Sequence, residues 1–394
     1  MTRTGELADH VAAKTAGQGR IDVQLSRSQT IFRFLGAIVL LYLFLVSVAA
    51  MGVSFKMFGK GFARALIQET SNPFVGLFVG LLATSIVQSS STVTSMIVAF
   101  VASGTLSVQT ATPVVMGANI GTTVTGMLVA FIHVGSKQEF EKAYAAATVH
   151  DIFNVLSVLV LLPLELATGF LHKSAAYVTQ FLVGSSTDLS FHGPLARFVK
   201  PVAHGGGHML AFLGKPWDGV TLLIASVAVL IFSLYMLTRL MKTLVLNKAQ
   251  SHLNKALESV PAVGLLVGIA VTAIIQSSSV TTSLMVPLAA AGVLTIEQVF
   301  PVALGANVGT TVTALLASLA GNAAGMTIAL VHLLFNISGI LVFYPIGFMR
   351  RIPIRLAETM GRLGAKSAIY AVIYVVGLFF VLPGTAIFVW RMMH

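Results

Sequence analysis

Long blocks of apolar side chains without any charged residue alternate with short polar segments along the chain. Residues 70–136, 259–296 and 298–349 contain no Asp, Glu, Lys or Arg. These blocks have room for helices of about 20 residues, the length that crosses a bilayer core of roughly 30 Å. The pattern predicts an all-α polytopic membrane protein with membrane-spanning segments over about 31–53, 109–133, 143–171, 217–241, 297–320, 325–349 and 367–390.

Two further apolar blocks, 73–103 and 261–291, are each interrupted by the tetrapeptide Gln-Ser-Ser-Ser. As one helix, residues 73–103 would be about 46 Å long, whereas either arm alone, at about 20 Å, is too short to cross the bilayer. A re-entrant hairpin with its Ser-rich turn near the midplane fits both lengths. Non-helical backbone is tolerated at that depth where protein or a water-filled cavity covers it.

A Gly-Ala-Asn-x-Gly-Thr-Thr-Val-Thr motif follows each hairpin, at 117–125 and at 305–313. Glycine lowers helix stability by about 1 kcal/mol relative to alanine, so the sequence predicts a broken helix over about 109–133 and another over about 297–320. Both motifs recur at an offset of 188 residues, and aligning 75–130 with 263–318 gives 28 identities in 56 positions. The chain therefore contains an internal duplication.

The duplication divides the chain into repeat 1 (31–171) and repeat 2 (217–349). Each repeat is predicted to hold three crossings and one hairpin, and the odd number of crossings inverts the second copy relative to the first. Inverted-topology repeats with discontinuous helices are the architecture of secondary transporters. The remaining segments are predicted to be a cytoplasmic N-terminal tail (1–30), an extracellular loop between the repeats (172–216), and a basic turn followed by a C-terminal transmembrane segment (350–394).

Composition and charge support a membrane location and exclude several kinds of site. The 394 residues are 56% hydrophobic and 9% charged, whereas soluble proteins carry about 25% charged residues. The net charge of +11 comes from short basic segments beside apolar runs, as the positive-inside rule expects, so we expect a lipid bilayer and no nucleic acid as partner. The absence of cysteine excludes disulfides, thiolate metal sites and cysteine nucleophiles.

The central blocks hold many hydroxyl and amide oxygens but no fixed charge. Hard cations prefer such oxygen ligands, and half-helix N-termini offer free N–H groups and a partial positive charge to anions. An anion bound without Arg or Lys needs another source of positive charge, which a co-bound cation supplies. This set of hydroxyl, amide and backbone N–H groups therefore suggests coupled binding of an alkali cation and an oxyanion.

Other interpretations of the same residues stay open. The serines of a single copy are compatible with interhelical hydrogen bonding alone. A sodium-coupled transporter of another small oxyanion and a passive channel are alternatives. An intramembrane hydrolase with Ser89–Ser91, His150 and Asp151 as a triad is a further one, although the Gly-x-Ser-x-Gly elbow is absent. His150 and His332 also suit packing roles, and Asp151 has Leu333 as its counterpart in the second copy. The segment His204–His208 suits a flexible loop or adventitious metal binding.

At these motifs the sequence resembles the type II sodium–phosphate cotransporters. The doubled Gln-Ser-Ser-Ser is that family's hallmark, and the stretches Gly117–Thr123, Ala147–Asn154 and Leu156–Glu165 are also similar to it. The resemblance covers about 31–390. It implies sodium-driven uptake of inorganic phosphate by alternating access, with sodium as a co-transported ion, no organic cofactor and no enzymatic activity. It also implies a plasma-membrane location, the bacterial inner membrane for a minimal form like this one, and leaves a homodimer open.

The resemblance also implies a set of site residues. The sodium site in the second repeat would use Gln276, Ser277, Thr310 and Thr313 with a carbonyl near Ala306, and its symmetry mates are Gln88, Ser89, Thr122 and Thr125. Phosphate would lie between the hairpin tips, near Ser90, Ser91, Ser278 and Ser279, with Asn119 and Asn307 close by. Asp151, Thr123 and Thr311 are further candidates.

The sequence departs from the vertebrate members of that family in two places. Electrogenic vertebrate members resemble this chain at Val134-Gly135-Ser136 but have an acidic residue where Ser136 stands. Their extracellular loop is long and disulfide-bonded, whereas here the segment 172–216 is short and contains no cysteine. The first departure bears on the sodium:phosphate stoichiometry, and the second suggests a minimal, bacterial form.

Overall fold

The computed structural model describes residues 27–58, 72–183, 195–257 and 261–393, and every regular element in those ranges is helical. Seven of the described helical segments are long and apolar enough to cross a membrane. The prediction of an all-α polytopic membrane protein is therefore confirmed. The seven segments are Ile31–Met57, Val108–His133, Lys137–Thr168, Trp217–Met241, Ile296–Ser318, Ala323–Phe343 and Ala368–Met393.

The elements run in the following order. The first half contains α1 (Arg27–Met57), α2 (Pro73–Val87), α3 (Ser90–Ala102), α4 (Val108–Gly121), α5 (Val124–Ala130), α6 (Lys137–Thr168), α7 (Phe170–Val183) and α8 (Ala196–Leu210). The second half contains α9 (Trp217–Leu257), α10 (Pro261–Ile275), α11 (Ser278–Ala290), α12 (Ile296–Ser318), α13 (Ala323–Phe343), α14 (Gly347–Lys366), α15 (Ala368–Val376) and α16 (Leu382–Met393). A π-helical turn, Gly377–Val381, joins the last two helices.

Each Gln-Ser-Ser-Ser segment ends one short helix and begins the next. Gln88 has a left-handed backbone (φ 57°) at the end of α2, and Gln276 has the same conformation (φ 62°) at the end of α10. Ser89 caps α3 by accepting a hydrogen bond from Thr92 N, and Ser277 caps α11 by accepting one from Val280 N. A left-handed backbone conformation costs free energy at any residue other than glycine. Its occurrence at the same position in both copies therefore indicates a shared structural requirement.

Glycines bring the first arm of each hairpin into direct backbone contact with the helix that follows it. A Cβ on Gly117 of α4 would lie 1.8 Å from the carbonyl oxygen of Leu77 in α2, and a Cβ on Gly80 would lie 1.9 Å from that of Val114. The second copy repeats this packing, with a Cβ on Gly305 lying 2.1 Å from Leu265 O and one on Gly268 lying 2.2 Å from Val302 O. Only glycine permits such close packing of helices in a membrane protein.

The prediction of two broken helices is wrong for the second copy. In the first copy the chain does leave the helix, at Thr122-Thr123 between α4 and α5, but α12 continues without interruption from Ile296 to Ser318 through the whole motif. The glycines that suggested a break pack against α10 instead, and this contact offsets their low helix propensity. Thr310 and Thr311 donate hydrogen bonds to carbonyls of their own helix, Ala306 O and Val308 O.

The segment between the repeats is also more helical than predicted. Residues 172–183 lie in α7, and the His204–His208 segment lies in α8 rather than in a flexible loop; residues 184–194 are outside the described ranges. Val199, Ala203 and Gly207 are buried at helical spacing. A Cβ on Gly207 would lie 3.5 Å from Val53 of α1, so these small residues allow α8 to pack on α1. Of the predicted 1–30 tail, residues 1–26 lie outside the described ranges, and 27–30 begin α1.

Candidate functional site

The two hairpin tips each hold a glutamine–threonine pair. The amide oxygen of Gln88 accepts a hydrogen bond from Thr125 Oγ1 at 2.9 Å, and that of Gln276 accepts one from Thr313 Oγ1 at 2.7 Å. The amide nitrogens of Gln88 and Gln276 donate to Ser85 O and Ala273 O of the preceding helices. Both ends of each glutamine are therefore fixed, and its oxygen is aimed at the second half of the Gly-Ala-Asn motif.

The first hairpin tip contacts the glutamine–threonine pair of the second copy. Ser91 Oγ lies 3.3 Å from both the backbone oxygen of Gln276 and Thr313 Oγ1. Ser90 and Ser278 are buried in the first turns of α3 and α11, and Ser279 is half-buried. The structure thus brings together oxygen atoms from both copies at the point where the two hairpins turn.

Two of the remaining predicted sodium ligands, Thr122 at the end of α4 and Thr310 within α12, donate hydrogen bonds to their own helices. Thr122 Oγ1 donates to Ala118 O at 3.1 Å, and Thr310 Oγ1 donates to Ala306 O at 2.9 Å. Thr310 and Thr313 are three residues apart on α12, which places them on one helix face, and both are buried. Ser89 and Ser277 are the helix caps already described. These positions match between the copies residue by residue.

The predicted phosphate residues Asn119 and Asn307 take part in a buried network that crosses between the copies. His150 Nε2 lies 2.6 Å from Asn307 Oδ1, and Asn307 Nδ2 donates to Asn154 Oδ1 at 2.6 Å. In the other direction, His332 Nε2 lies 3.3 Å from Asn119 Oδ1. Asn154 Nδ2 closes the network by donating to Asn119 O at 2.8 Å. Both asparagine side chains are therefore already hydrogen-bonded, and both are buried.

Sequence reasoning assigned no role to Asn154, Asn336 or Tyr374. Asn154 and Asn336 each follow a histidine by four residues, as His150…Asn154 and His332…Asn336, so the doubled His-x-x-x-Asn spacing was the available signal. Asn336 Nδ2 donates to His332 O at 3.0 Å. No comparable signal pointed to Tyr374, because it lies outside the duplicated region.

Asp151 connects the first copy to the C-terminal helix α15. Its Oδ1 accepts a hydrogen bond from Thr123 Oγ1 at 2.8 Å, and its Oδ2 accepts one from the phenol of Tyr374. A second contact between α6 and α15 joins Tyr144 OH to Ala371 O at 3.3 Å. Since His150 bonds to Asn307 and Asp151 bonds to Thr123 and Tyr374, these side chains are not arranged as a triad with Ser89–Ser91.

These features define a polytopic helical membrane protein whose centre is built from uncharged amide and hydroxyl groups supplied twice by one duplicated motif. The chain belongs to the Na+/Pi-cotransporter family, whose profile matches residues 43–185 and 229–359. The two matched ranges contain both hairpins and both Gly-Ala-Asn motifs, so the family assignment rests on the same residues as the site.

Three curated relatives illustrate the similarity. Sodium-dependent phosphate transport protein 2A of Rattus norvegicus is 35% identical over 416 residues, covering 87% of this chain and 65% of the rat protein. The 2A protein of Ovis aries is 35% identical over 436 residues, covering 90% of this chain and 67% of the sheep protein. The 2B protein of Homo sapiens is 34% identical over 466 residues, covering 92% of this chain and 67% of the human protein. This chain thus spans about two thirds of the length of these relatives. No solved structure gave a significant match.

Proposed function

We propose that this protein is a secondary active transporter that couples sodium entry to the uptake of inorganic phosphate by alternating access. Its relatives carry the name sodium-dependent phosphate transport protein. The observation that carries the proposal is the pair of matching contacts Gln88–Thr125 and Gln276–Thr313, at 2.9 and 2.7 Å. They hold oxygen atoms of the kind that bind a hard cation at the turns of both hairpins.

In this proposal the second-copy tip binds sodium. The amide oxygen of Gln276 and the hydroxyls of Thr310 and Thr313 would turn from their present hydrogen bonds to the ion, joined by Ser277 and the carbonyl of Ala306. A neutral ligand set of this kind leaves the full charge of the ion in the site. That charge would favour an anion beside it, where Ser91 of the other hairpin already contacts Gln276 and Thr313.

Phosphate would bind between the two tips without a lysine or arginine. The N-termini of α3 and α11 each present N–H groups that have no partner within the helix, together with the partial positive charge of the helix dipole. Ser90, Ser91, Ser278 and Ser279 add hydroxyl donors in those first turns. Sodium would then be cargo as well as counter-ion, so phosphate binding would require its presence.

The contacts at the hairpin bases support inverted repeats with re-entrant hairpins. At the base of the first hairpin, Asn322 of the α12–α13 turn donates from its amide nitrogen to Ala102 O at 2.9 Å. At the base of the second, a Cβ on Gly292 would lie 3.1 Å from the amine of Lys142, near the start of α6. Each base thus meets the equivalent region of the other copy, as expected for repeats related by a pseudo-twofold axis in the membrane plane. We infer a multi-pass protein of the plasma membrane, in bacteria the inner membrane.

Uptake of labelled phosphate into proteoliposomes tests the proposal. Purified protein is reconstituted, and uptake is compared under inward gradients of sodium, potassium and choline. We expect accumulation above the external phosphate concentration with sodium alone. Equal uptake in all three salts would contradict sodium coupling, and uptake that stops at the external concentration despite a sodium gradient would indicate a channel.

A further inference from the structure

A second polar feature lies at the base of the first hairpin, away from the serine tips. A cavity of about 610 Å³ opens between the end of α1, the base of α3, helix α8 and the α12–α13 turn. Binding sites for small ligands typically have volumes of about 300–1,000 Å³. The lining includes two lysines, Lys56 and Lys200, and one histidine, His204, and no acidic residue is among the described residues that form it.

The basic groups converge on the cavity from two helices. Lys56 lies in the last turn of α1, and Lys200 and His204 are four residues apart on α8, a spacing that places them on one helix face. The ion pairs of the described residues, His133–Glu139 and His172–Glu165, involve none of the three. Among the described residues, no carboxylate therefore pairs with the two lysines that face the cavity.

The two lysines already affect each other. Partial burial, and then the positive charge of Lys56, lower the pKa of Lys200 below its usual value. Like charges held together in a partly buried site are unfavourable, and an anion between them would relieve the repulsion. Apolar groups such as Val48, Val53 and Ala99 form much of the remaining wall, and low-dielectric walls focus the field of a charged rim on the space inside.

We propose that this cavity, the α1–α8 cavity, is a second anion site that binds a phosphate-type oxyanion between Lys56 and Lys200. The chemistry is shared by free inorganic phosphate and by the headgroup of an anionic phospholipid. Helix α3 connects the two sites, since Ala102 lines the cavity and Ser91 lies at the tip eleven residues earlier, about 17 Å along the helix. Phosphate held here would be concentrated one helix length from the tip serines.

The site does not depend on the proposed transport function, because its binding is measured without sodium and without a gradient. Full-length protein in phosphatidylcholine nanodiscs is titrated with inorganic phosphate in sodium-free buffer by calorimetry. We expect saturable binding in the wild type and weakening of about five- to twentyfold in the double variant Lys56→Gln/Lys200→Gln, since each partly exposed charge contact contributes up to about fivefold. The matched control is Lys215→Gln, which removes one charge from the exposed segment after α8, outside the cavity.

Two further measurements complete the test. The double variant Lys56→Arg/Lys200→Arg keeps both charges and should retain binding, which separates loss of charge from loss of folding. If nanodiscs containing phosphatidylglycerol abolish phosphate binding, and native mass spectrometry finds that lipid retained by the wild type but not by the Gln variant, the anion is a lipid headgroup. The proposal is overturned if the wild type binds neither anion, or if the Gln double variant binds as tightly as Lys215→Gln.

Discussion

His150 and Asn307 are hydrogen-bonded across the two copies of the duplicated motif, with Nε2 and Oδ1 2.6 Å apart although 157 residues separate them in sequence. The reciprocal pair, His332 and Asn119, has the same atoms 3.3 Å apart. Each copy therefore supplies a histidine to the Gly-Ala-Asn motif of the other. Any motion of one copy against the other must either preserve both bonds or exchange them for new partners, because all four side chains are buried.

We predict that His150→Phe destabilises the protein through Asn307. The variant fills a similar volume but leaves Asn307 Oδ1 without its present partner, and a buried polar atom without a partner costs about 1–3 kcal/mol. Thermal unfolding in detergent, compared with that of Asn307→Leu and of the double variant, measures the coupling. The double variant should lose less stability than the sum of the two single variants. Strict additivity would mean that the two side chains stabilise the protein independently.

A second prediction concerns the glutamine–threonine pair of the second copy. Gln276→Ala, Thr310→Val and Thr313→Val each remove one candidate oxygen ligand, whereas Thr313→Ser keeps the hydroxyl and serves as the control. Interactions with a charged group are worth about 1.5–3 kcal/mol, so the sodium concentration for half-maximal uptake should rise about tenfold or more in the first three variants. Sodium curves like those of the wild type in all of them would mean that these residues only hold the hairpin in place.

Local patterns predicted those parts of the fold that depend on neighbouring residues. The turns at Gln88 and Gln276 were predicted from the lengths of the apolar arms on either side. One arm alone is too short to cross the bilayer, and the two arms joined as one helix would be too long. The continuity of α12 could not be predicted, since Gly305 and Gly309 look like helix breakers until α10 is seen packed against them. The glycine-rich part of α8 is a second example, because Gly207 faces Val53 and Met57 of α1, a contact that no local pattern records.

The centre of the site shows the same division. The oxygen-rich composition and the duplication indicated the region of the site, and the family resemblance implied individual residues such as Gln276 and Thr313, which are hydrogen-bonded to each other. The hydrogen bond between His150 and Asn307 depends on how the two copies face each other, so the sequence did not predict it. Tyr374 was missed for a different reason: it lies outside the repeat, and its partner Asp151 has no counterpart that would have marked the contact as part of the duplicated core.

The glycine contacts give a third prediction. Gly117→Ala would place a methyl group 1.8 Å from Leu77 O, so α2 and α4 would have to separate and folded protein should be largely lost. Gly305→Ala should do the same to α10 and α12. The control is Gly384→Ala in α16, where a Cβ meets nothing within 4 Å. The yield of monodisperse protein after detergent extraction measures the effect, and equal yields for all three variants would contradict it.

A fourth prediction concerns the link between Asp151 and Tyr374. Tyr374→Phe removes the donor to one oxygen of a buried carboxylate, which should lower stability by about 1–3 kcal/mol and loosen α15. Tyr370→Phe is the matched control, because Tyr370 lies on the same helix with its side chain exposed. Protease sensitivity of the C-terminal helices measures the loosening. An altered sodium dependence of uptake in Tyr374→Phe, with normal stability, would instead connect Asp151 to cation binding.

Ser136 is the residue on which the charge balance of the proposed cycle depends. It caps α6 by accepting a hydrogen bond from the backbone N–H of Glu139 at 3.5 Å, just after the end of a candidate span. The resemblance described above implies an acidic residue at this position in electrogenic members, together with an additional sodium ion. Aspartate is as good an N-cap as serine, so Ser136→Asp adds a carboxylate without removing the cap.

We predict that the wild-type cycle is electroneutral and that Ser136→Asp makes it electrogenic. Without the carboxylate, two sodium ions would balance one divalent hydrogen phosphate, and the membrane potential would do no work on the cycle. One translocated charge is worth about 2.3 kcal/mol per 100 mV, a bias large enough to change uptake rates. Proteoliposomes under a potassium-diffusion potential, at fixed sodium and phosphate, provide the measurement, with Ser136→Ala as the control that removes the cap but adds no charge. Wild-type uptake that rises steeply with inside-negative potential would refute the prediction and require a third sodium ion bound by other oxygens, for which Asp151 is the first candidate to mutate.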